Sequence, residues 1–256
     1  MVNELAGLRI LNTRPAAQAA GLSASLRAAG AEVLELPLIE IEALPINDPE
    51  RQRLLDLDRY DYVFAVSTNA ARLGLAAIAD YWPQWPHQLP VLAVGRATAA
   101  LLEAEGLTVI CPPQEDSEGV LALPELAAAS GLRVLVLRGE DGRELVADTL
   151  RARGARVDVV ALYRRVLPAA AAASWQQLRQ PLPDCVLLSS PAAWRHWQRV
   201  VGAEAVLPWL LVVSPRLLEQ VQAAGAKKTL LAEGAGTEAI KACLSRWRTS
   251  GEHAIQ

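Results

Sequence analysis

The sequence predicts an α/β fold with parallel sheets, built from one α/β unit used twice. Two observations carry this. Apolar runs of strand length alternate with longer helical patterns along the whole chain, and an early segment recurs, without a gap, in the middle.

Leu8 to Leu11, Val33 to Leu36, Tyr62 to Val66, Val91 to Val94 and Val134 to Leu137 open the series of strands. Val157 to Val160, Cys185 to Leu188, Leu210 to Val213 and Thr229 to Leu231 continue it. Each is bounded by turn residues, and most precede an amphipathic segment rich in Ala, Leu and Arg, the pattern of βαβ units. Their apolar character is continuous rather than alternating, as sheets covered on both faces require. Gly30, Gly106, Gly154 and Gly225 each end a helical pattern just before a strand, where the left-handed backbone of a helix stop favours glycine.

The repeat is read next. Residues 8–41 align with residues 132–165 with eleven identities, among them Leu8/Leu132, Arg14/Arg138, Gly30/Gly154, Ala31/Ala155 and Val33/Val157. Further on, Ser67-Thr68-Asn69-Ala70-Ala71 pairs with Ser189-Ser190-Pro191-Ala192-Ala193, and Ser117-Glu118-Gly119-Val120 with Thr237-Glu238-Ala239-Ile240. This reads as a duplicated unit; the rival reading is two unrelated βα segments of similar composition. Pro37 to Ile41 and Leu162 to Val166 run straight on from strands at equivalent places, and are candidate crossings between domains. After the first, Asp48 is a plausible helix cap with Pro49 at the first helical position.

Composition narrows the function. With 256 residues, 52% of them hydrophobic, 21% charged and a net charge of −3, the chain has room for two modest domains and no basic block that would track nucleic acid. The longest apolar runs, such as Ala205 to Val213, are too short to span a bilayer. Glu4 and Arg9 interrupt any signal pattern at the N-terminus. Cys111, Cys185 and Cys243 are odd in number and form no C-x-x-C, which favours a reducing compartment. A cytoplasmic protein without membrane or nucleic-acid partners is expected.

In parallel sheets, ligands bind beyond the carboxyl ends of strands, where helices begin. The junctions here are Thr13-Arg14-Pro15, Ser67-Thr68-Asn69, Gly95-Arg96-Ala97-Thr98 and Ser117-Glu118-Gly119 in one half. Arg138-Gly139-Glu140, Ser189-Ser190-Pro191, Ser214-Pro215 and Gly234-Ala235-Gly236-Thr237 follow in the other. Nearly all carry a hydroxyl or glycine at a helix start, where free N–H groups and the helix dipole favour an anion. Any one of them is ordinarily a cap; their number points to a ligand with several anionic groups. Arg14 and Arg138, equivalent in the repeat, are candidates for charge-assisted bonds to it, against a plain surface or ion-pair role.

Sharper motifs fail. Gly234-x-Gly236-x-x-Ala239 follows a strand, as a dinucleotide fingerprint does, but no later strand presents the ribose-binding acid. There is no phosphate loop and no G-x-S-x-G, and His87, His196, His253 and the cysteines form no metal-ligand cluster. Trp82 with Trp85 and Trp194 with Trp197 sit at helical spacing and read as packing residues. Tyr163 stands in a crossing segment beside Arg164 and Arg165, where its repeat partner is Ile39. Its phenol can donate a hydrogen bond or a proton, although tyrosine is also simply a good strand residue.

Several of these segments resemble those of uroporphyrinogen-III synthases: Leu11-Asn12-Thr13-Arg14-Pro15, Val66-Ser67-Thr68-Asn69-Ala70, Ala93-Val94-Gly95-Arg96-Ala97-Thr98-Ala99 and Asp116-Ser117-Glu118-Gly119-Val120-Leu121. Leu137-Arg138-Gly139, Ala161-Leu162-Tyr163-Arg164 and Leu188-Ser189-Ser190-Pro191 extend the resemblance over essentially the whole chain in the same order. The resemblance implies two similar parallel-sheet α/β domains joined by a two-stranded antiparallel connector. Residues 1–36 and 167–256 would form a discontinuous first domain and 42–159 the second, with 37–41 and 160–166 as connector strands. It also implies the cyclising dehydration of hydroxymethylbilane, with inversion of the last ring, to uroporphyrinogen III by a monomer that uses no cofactor or metal. The acetate and propionate groups of that tetrapyrrole accord with the anion-binding junctions. Tyr163 matches the tyrosine placed near the departing hydroxyl, and Ser67, Thr98 and Ser189 fall on positions associated with the cleft. Thr13, Arg14, Thr68, Asn69, Gly95, Ser117, Gly119, Arg138, Gly139, Ser190, Ser214 and Thr237 complete the expected substrate-binding set.

One departure stands out. The G-x-x-T-A turn kept at Gly95 to Ala99 is replaced in the second half by Ser214-Pro215-Arg216-Leu217-Leu218, so binding is carried over there only to Ser214. The alternative from another class is a non-catalytic two-lobed protein that closes on an anionic metabolite. A nucleotide-sugar transferase is disfavoured by the shortage of acidic and basic catalytic candidates.

Overall fold

In the computed structural model, which describes residues 4–251, the chain forms eleven strands among those residues. They are β1 (Arg9–Asn12), β2 (Glu32–Glu35), β3 (Glu40–Ala43), β4 (Tyr62–Ala65), β5 (Val91–Ala93), β6 (Val109–Ile110), β7 (Arg133–Gly139), β8 (Arg156–Val166), β9 (Cys185–Leu188), β10 (Trp209–Val212) and β11 (Thr229–Leu231). The helices are α1 (Ala16–Ala28), α2 (Asp48–Leu55), α3 (Thr68–Ala79), α4 (Arg96–Ala104), α5 (Ser117–Leu121) and α6 (Pro124–Ala127). They continue with α7 (Leu145–Ala152), α8 (Ala171–Leu178), α9 (Pro191–Val201), α10 (Pro215–Ala223) and α11 (Thr237–Ser250).

The chain divides into two units, Met1–Glu40 with Val166–Gln256, and Ile41–Arg165. The first holds a parallel sheet in the order β11-β10-β9-β1-β2. The second holds β3-β8-β7-β4-β5-β6, in which β8, β7, β4, β5 and β6 pair in parallel. Read from β2 in one sheet and β8 in the other, the five-strand arrangements coincide. The chain passes through them differently: the βαβ pair comes first in the first unit and last in the second.

The aligned segments 8–41 and 132–165 are those two βαβ pairs. Arg9 lies opposite Glu32 in the first and Arg133 opposite Arg156 in the second, and these are equivalent positions of the alignment. Their glycines do equivalent work. Gly30 and Gly154 adopt φ of 96° and 89° just past α1 and α7, a conformation that a side chain would strain.

The inner strands are largely apolar because both faces of each sheet are covered, while the edge strands β2 and β3 carry glutamates. In the second sheet, Val63 and Ala65, Val91 and Ala93, and Leu135 and Leu137 pack on one side with Ala70, Ala71 and Ile78 of α3. Phe64, Leu92, Val134 and Val136, the residues between, pack on the other with Val146 and Leu150 of α7. A two-residue period sends successive side chains to opposite cores. Contact with α3 is closest at Gly74, where a Cβ would lie 2.6 Å from Leu137 Cδ1. In the first sheet, Ile10, Cys185, Leu187 and Leu211 share a core with Leu22 and Leu26 of α1 and Ile240, Leu244 and Trp247 of α11.

Some expected boundaries shift. The segment expected from Pro37 begins as a strand only at Glu40 and runs to Ala43, on the edge beside β8. Val157 to Val166, divided in the sequence reading between a core strand and a crossing, is one strand, β8. The cap of α2 is Asn47, not Asp48: its side chain accepts from Glu50 N at 2.9 Å while the Glu50 carboxylate accepts from Asn47 N at 3.2 Å, a reciprocal box. Trp197 is buried edge-on to Trp175, with ring centres 4.8 Å apart, and Trp82 and Trp85 donate to the Leu54 and Leu89 carbonyls. These are packing roles. His253 lies outside the described residues. No helix among the described residues is long and apolar enough to cross a membrane.

Candidate functional site

Consecutive crossovers in each unit leave neighbouring strands in opposite directions, and the crevice they open at the carboxyl ends is where such sheets take ligands. In the first unit those strands are β1 and β9; in the second they are β7 and β4.

In the first unit, Thr13 is buried, and its hydroxyl donates to the Leu187 carbonyl at 2.5 Å, tying the end of β1 to β9. Arg14 donates its backbone N–H to Asn12 Oδ1 at 3.2 Å and its guanidinium to the Ala235 carbonyl. Burial pulls the Arg14 guanidinium below its usual pKa. This contact joins the loop after β1 to the Gly234–Gly236 loop. Ser189 is half-buried at the end of β9. Ser190 caps α9 through Ala193 N at 3.2 Å and Ser214 caps α10 through Leu217 N at 3.3 Å. Thr237 opens α11, where Gly236 supplies no capping side chain.

In the second unit, Ser67 caps α3, its hydroxyl accepting from Ala70 N at 3.1 Å; Thr68 and Asn69 follow in the first turn. The structural partner of Ser67 is therefore Ser190, not Ser189 as the sequence pairing has it, since Ser67 and Ser190 make the same cap. Ser67 Oγ also lies 3.0 Å from the Tyr163 hydroxyl. Tyr163 is only 1% exposed, its ring stands on Gly139, where a Cβ would meet Cε2 at 2.7 Å and Cζ at 2.8 Å, and the Arg165 guanidinium lies 5.7 Å from the ring centre. Arg138, half-buried, is engaged within its own loop: Nη1 donates to the Gly142 carbonyl at 2.9 Å and Nη2 pairs with Glu144.

Two junctions of the second unit already carry a carboxylate. Glu115 Oε2 accepts from Arg96 N at 3.0 Å, at the start of α4, and Gly95 leaves it room, since a Cβ there would fall 2.4 Å from that oxygen. Thr98 lies in the same first turn, 3% exposed. At α5, Asp116 is the cap, ahead of Ser117, accepting from Gly119 N at 2.7 Å. Hydrogen bonds from the Gln114 side chain and from Gly119 N hold its carboxyl below the usual range. The sequence reading missed both acids, although the preference of Asp for the cap position marks Asp116 in the run Asp116-Ser117-Glu118-Gly119.

The structure thus brings Ser67, Gly139 and Tyr163 together, and joins Thr13 to the β9 junction and Arg14 to the β11 junction. Gly95 and Arg96 meet the β6–α5 loop through Glu115. Among the described residues, no group of three or more His, Cys, Asp or Glu side chains is arranged to hold a metal.

Fold and strand-end junctions define an α/β protein of two parallel-sheet units with helix starts at the carboxyl ends of the strands. Comparison with known proteins makes this specific. The family model described as uroporphyrinogen-III synthase HemD matches residues 20–242. The uroporphyrinogen-III synthase of Escherichia coli (strain K12) is 32% identical over 91% of this chain and 98% of its own length. That of Salmonella typhimurium (strain LT2) is 39% identical over 62% of this chain and 65% of its own length. Among solved structures, a mutant uroporphyrinogen III synthase of the extremely thermophilic bacterium Thermus thermophilus superposes with a TM-score of 0.63 over 96% of this chain and all of that one, at 16% identity. The Helicobacter pylori 26695 enzyme gives 0.60 over 92% and 97%, also at 16% identity; at such identity these two speak to the fold. The chain belongs to the uroporphyrinogen-III synthase family.

Proposed function

We infer that this chain catalyses the reaction for which its family is named, converting hydroxymethylbilane to uroporphyrinogen III by loss of water, ring closure and inversion of the last pyrrole. The observation that carries the reading is the match to a relative over nearly the full length of both chains. The test is to supply the pure protein with enzymatically generated hydroxymethylbilane and separate the porphyrin isomers after oxidation. Type III is expected; type I alone, the spontaneous product, overturns the reading.

In this reading the substrate's carboxylates are received by backbone N–H groups and hydroxyls at the strand-end junctions: Thr13, Arg14, Ser189, Ser190, Ser214 and Thr237 in the first unit, and Ser67, Thr68, Asn69, Gly95, Thr98, Ser117, Gly119, Arg138 and Gly139 in the second. Helix N-termini supply partial positive charge without a buried counter-ion. Tyr163 assists departure of the hydroxyl: the C–O bond breaks, and a proton or strong hydrogen bond from the phenol lets oxygen leave as water rather than hydroxide. The remaining acceleration comes from folding the bilane so that its ends meet. No metal or cofactor enters the scheme. The reading includes a monomer acting in the cytoplasm, without nucleic acid or membrane partners, and an antiparallel connector formed by 37–41 and 160–166, in the region of β3 and β8. Sedimentation at working concentration checks the monomer.

A further inference from the structure

Resting on the assignment of Tyr163 to the departing hydroxyl, we propose that Gly139 and Ser67 are positioning residues for that phenol: the missing side chain at 139 and the hydroxyl at 67 hold the tyrosine across the β7–β4 crevice.

Tyr163 belongs to β8, and β7 separates β8 from β4, the strand that leads into Ser67. For the phenol to meet Ser67 Oγ at 3.0 Å, its ring has to pass over β7, and it does so at Gly139, its register partner. Any side chain there would occupy the ring's place, since a Cβ would lie 2.7 to 2.8 Å from two ring atoms. Beyond van der Waals contact by that margin, either the ring or the strand has to move.

The backbone is shaped to the same end. Arg138 lies opposite Ala161 but Gly139 opposite Tyr163, so Leu162 is an extra residue in β8. In a regular strand Leu162 and Tyr163 would face opposite sides of the sheet. Here both are buried in the core that holds α3, the re-aiming that a bulge produces. The Tyr163 carbonyl accepts from Glu140 N at 2.8 Å, which fixes the backbone beyond the bulge.

Ser67 completes the hold. Its oxygen already accepts from Ala70 N and keeps one proton and one lone pair for the phenol. When Ser67 donates, the phenol keeps its own proton for the substrate, and Ser67 steadies the negative charge that develops on the phenol oxygen as that proton leaves. In this role Gly139 and Ser67 act through Tyr163, separately from any contact of their own with a substrate carboxylate.

The experiment measures kcat and KM for Gly139→Ala, Ser67→Ala and Ser67→Thr, each in the wild-type and Tyr163→Phe backgrounds, with folding checked by circular dichroism. A misplaced catalytic group costs about tenfold to 10²-fold in turnover. Gly139→Ala and Ser67→Ala should therefore lower kcat in that range, and cause no further loss of kcat beside Tyr163→Phe, because interacting residues are not additive. Ser67→Thr, which keeps the hydroxyl, should recover most of the turnover. Equal losses in both backgrounds, or wild-type kcat in a folded variant beside a slow Tyr163→Phe, overturn the proposal. If Gly139→Ala does not fold, the Ser67 pair decides alone. Wild-type turnover of Tyr163→Phe would instead remove Tyr163 from the mechanism, and the positioning role with it.

Discussion

At the end of β7 in the second unit, Gly139 lies beneath the ring of Tyr163; at the equivalent places of the repeat, the first unit has Pro15 and Ile39. The strands beneath match in order and register, yet only one crevice carries a phenol. The cause is local. β2 stops at Glu35, and Ile39 lies outside any strand, whereas β8 runs on through a bulge to Val166. Proline at 15 would also place a ring where the second unit needs open space. Duplication supplied two scaffolds, and a few residues past the shared strand made one of them chemically distinct. Later helix starts differ as well: α10 is capped by Ser214 where α4 meets the Glu115 carboxylate, and α11 has no capping side chain where α5 has Asp116.

The largest effect expected from this contrast is at the phenol. Tyr163→Phe should slow turnover by about 10²-fold, with product affinity and fold retained. Steady-state rates beside equilibrium binding of the product decide it; equal losses in both would make Tyr163 a binding residue and leave the units alike in chemistry.

Next come the neutral hydroxyls at the junctions. Single changes Thr98→Ala or Ser189→Ala should each weaken substrate binding by less than about tenfold, since a net neutral hydrogen bond is worth ~1 kcal/mol. Complete loss of activity from either, in a folded protein, would contradict an anion shared among many donors.

The carboxylate at α4 sharpens the contrast from the other side. Glu115 competes for the N–H groups that a substrate carboxylate would use, and it repels that carboxylate. Glu115→Gln should lower KM by a few-fold, roughly the effect of one exposed charge contact, with a shallower dependence on salt. A KM that rises instead would mark Glu115 as needed to shape the junction.

The smallest effect concerns stability alone. Asn47→Ala breaks the reciprocal cap of α2, far in sequence from every strand-end junction, and should cost about 1 kcal/mol in denaturant unfolding, with kcat unchanged.

Much of this was legible in the chain. Every apolar run read as a strand became one, because a continuous apolar segment of that length has no better place than a sheet covered on both faces. The helix-stop glycines were equally plain, since φ near 90° admits little else. The two-residue strand β6 and the capping roles of Asn47 and Asp116 were not: so short a strand has no period of its own, and neighbouring capping residues compete within one loop.

What the sequence by itself determined was the fold class, the duplication and the positions of the junctions, all set by local pattern and backbone chemistry. Tertiary structure decided which partners the junction residues already hold. Arg14 and Arg138, candidates for bonds to an anion, also donate to the Ala235 and Gly142 carbonyls. Gly139, in the expected substrate-binding set, also leaves room for the ring of Tyr163. Ala235 lies 221 residues from Arg14 and Tyr163 lies across a bulge from Gly139, and hydrogen-bonding capacity that looks open along a chain is taken up in part by whatever folding brings within about 3 Å.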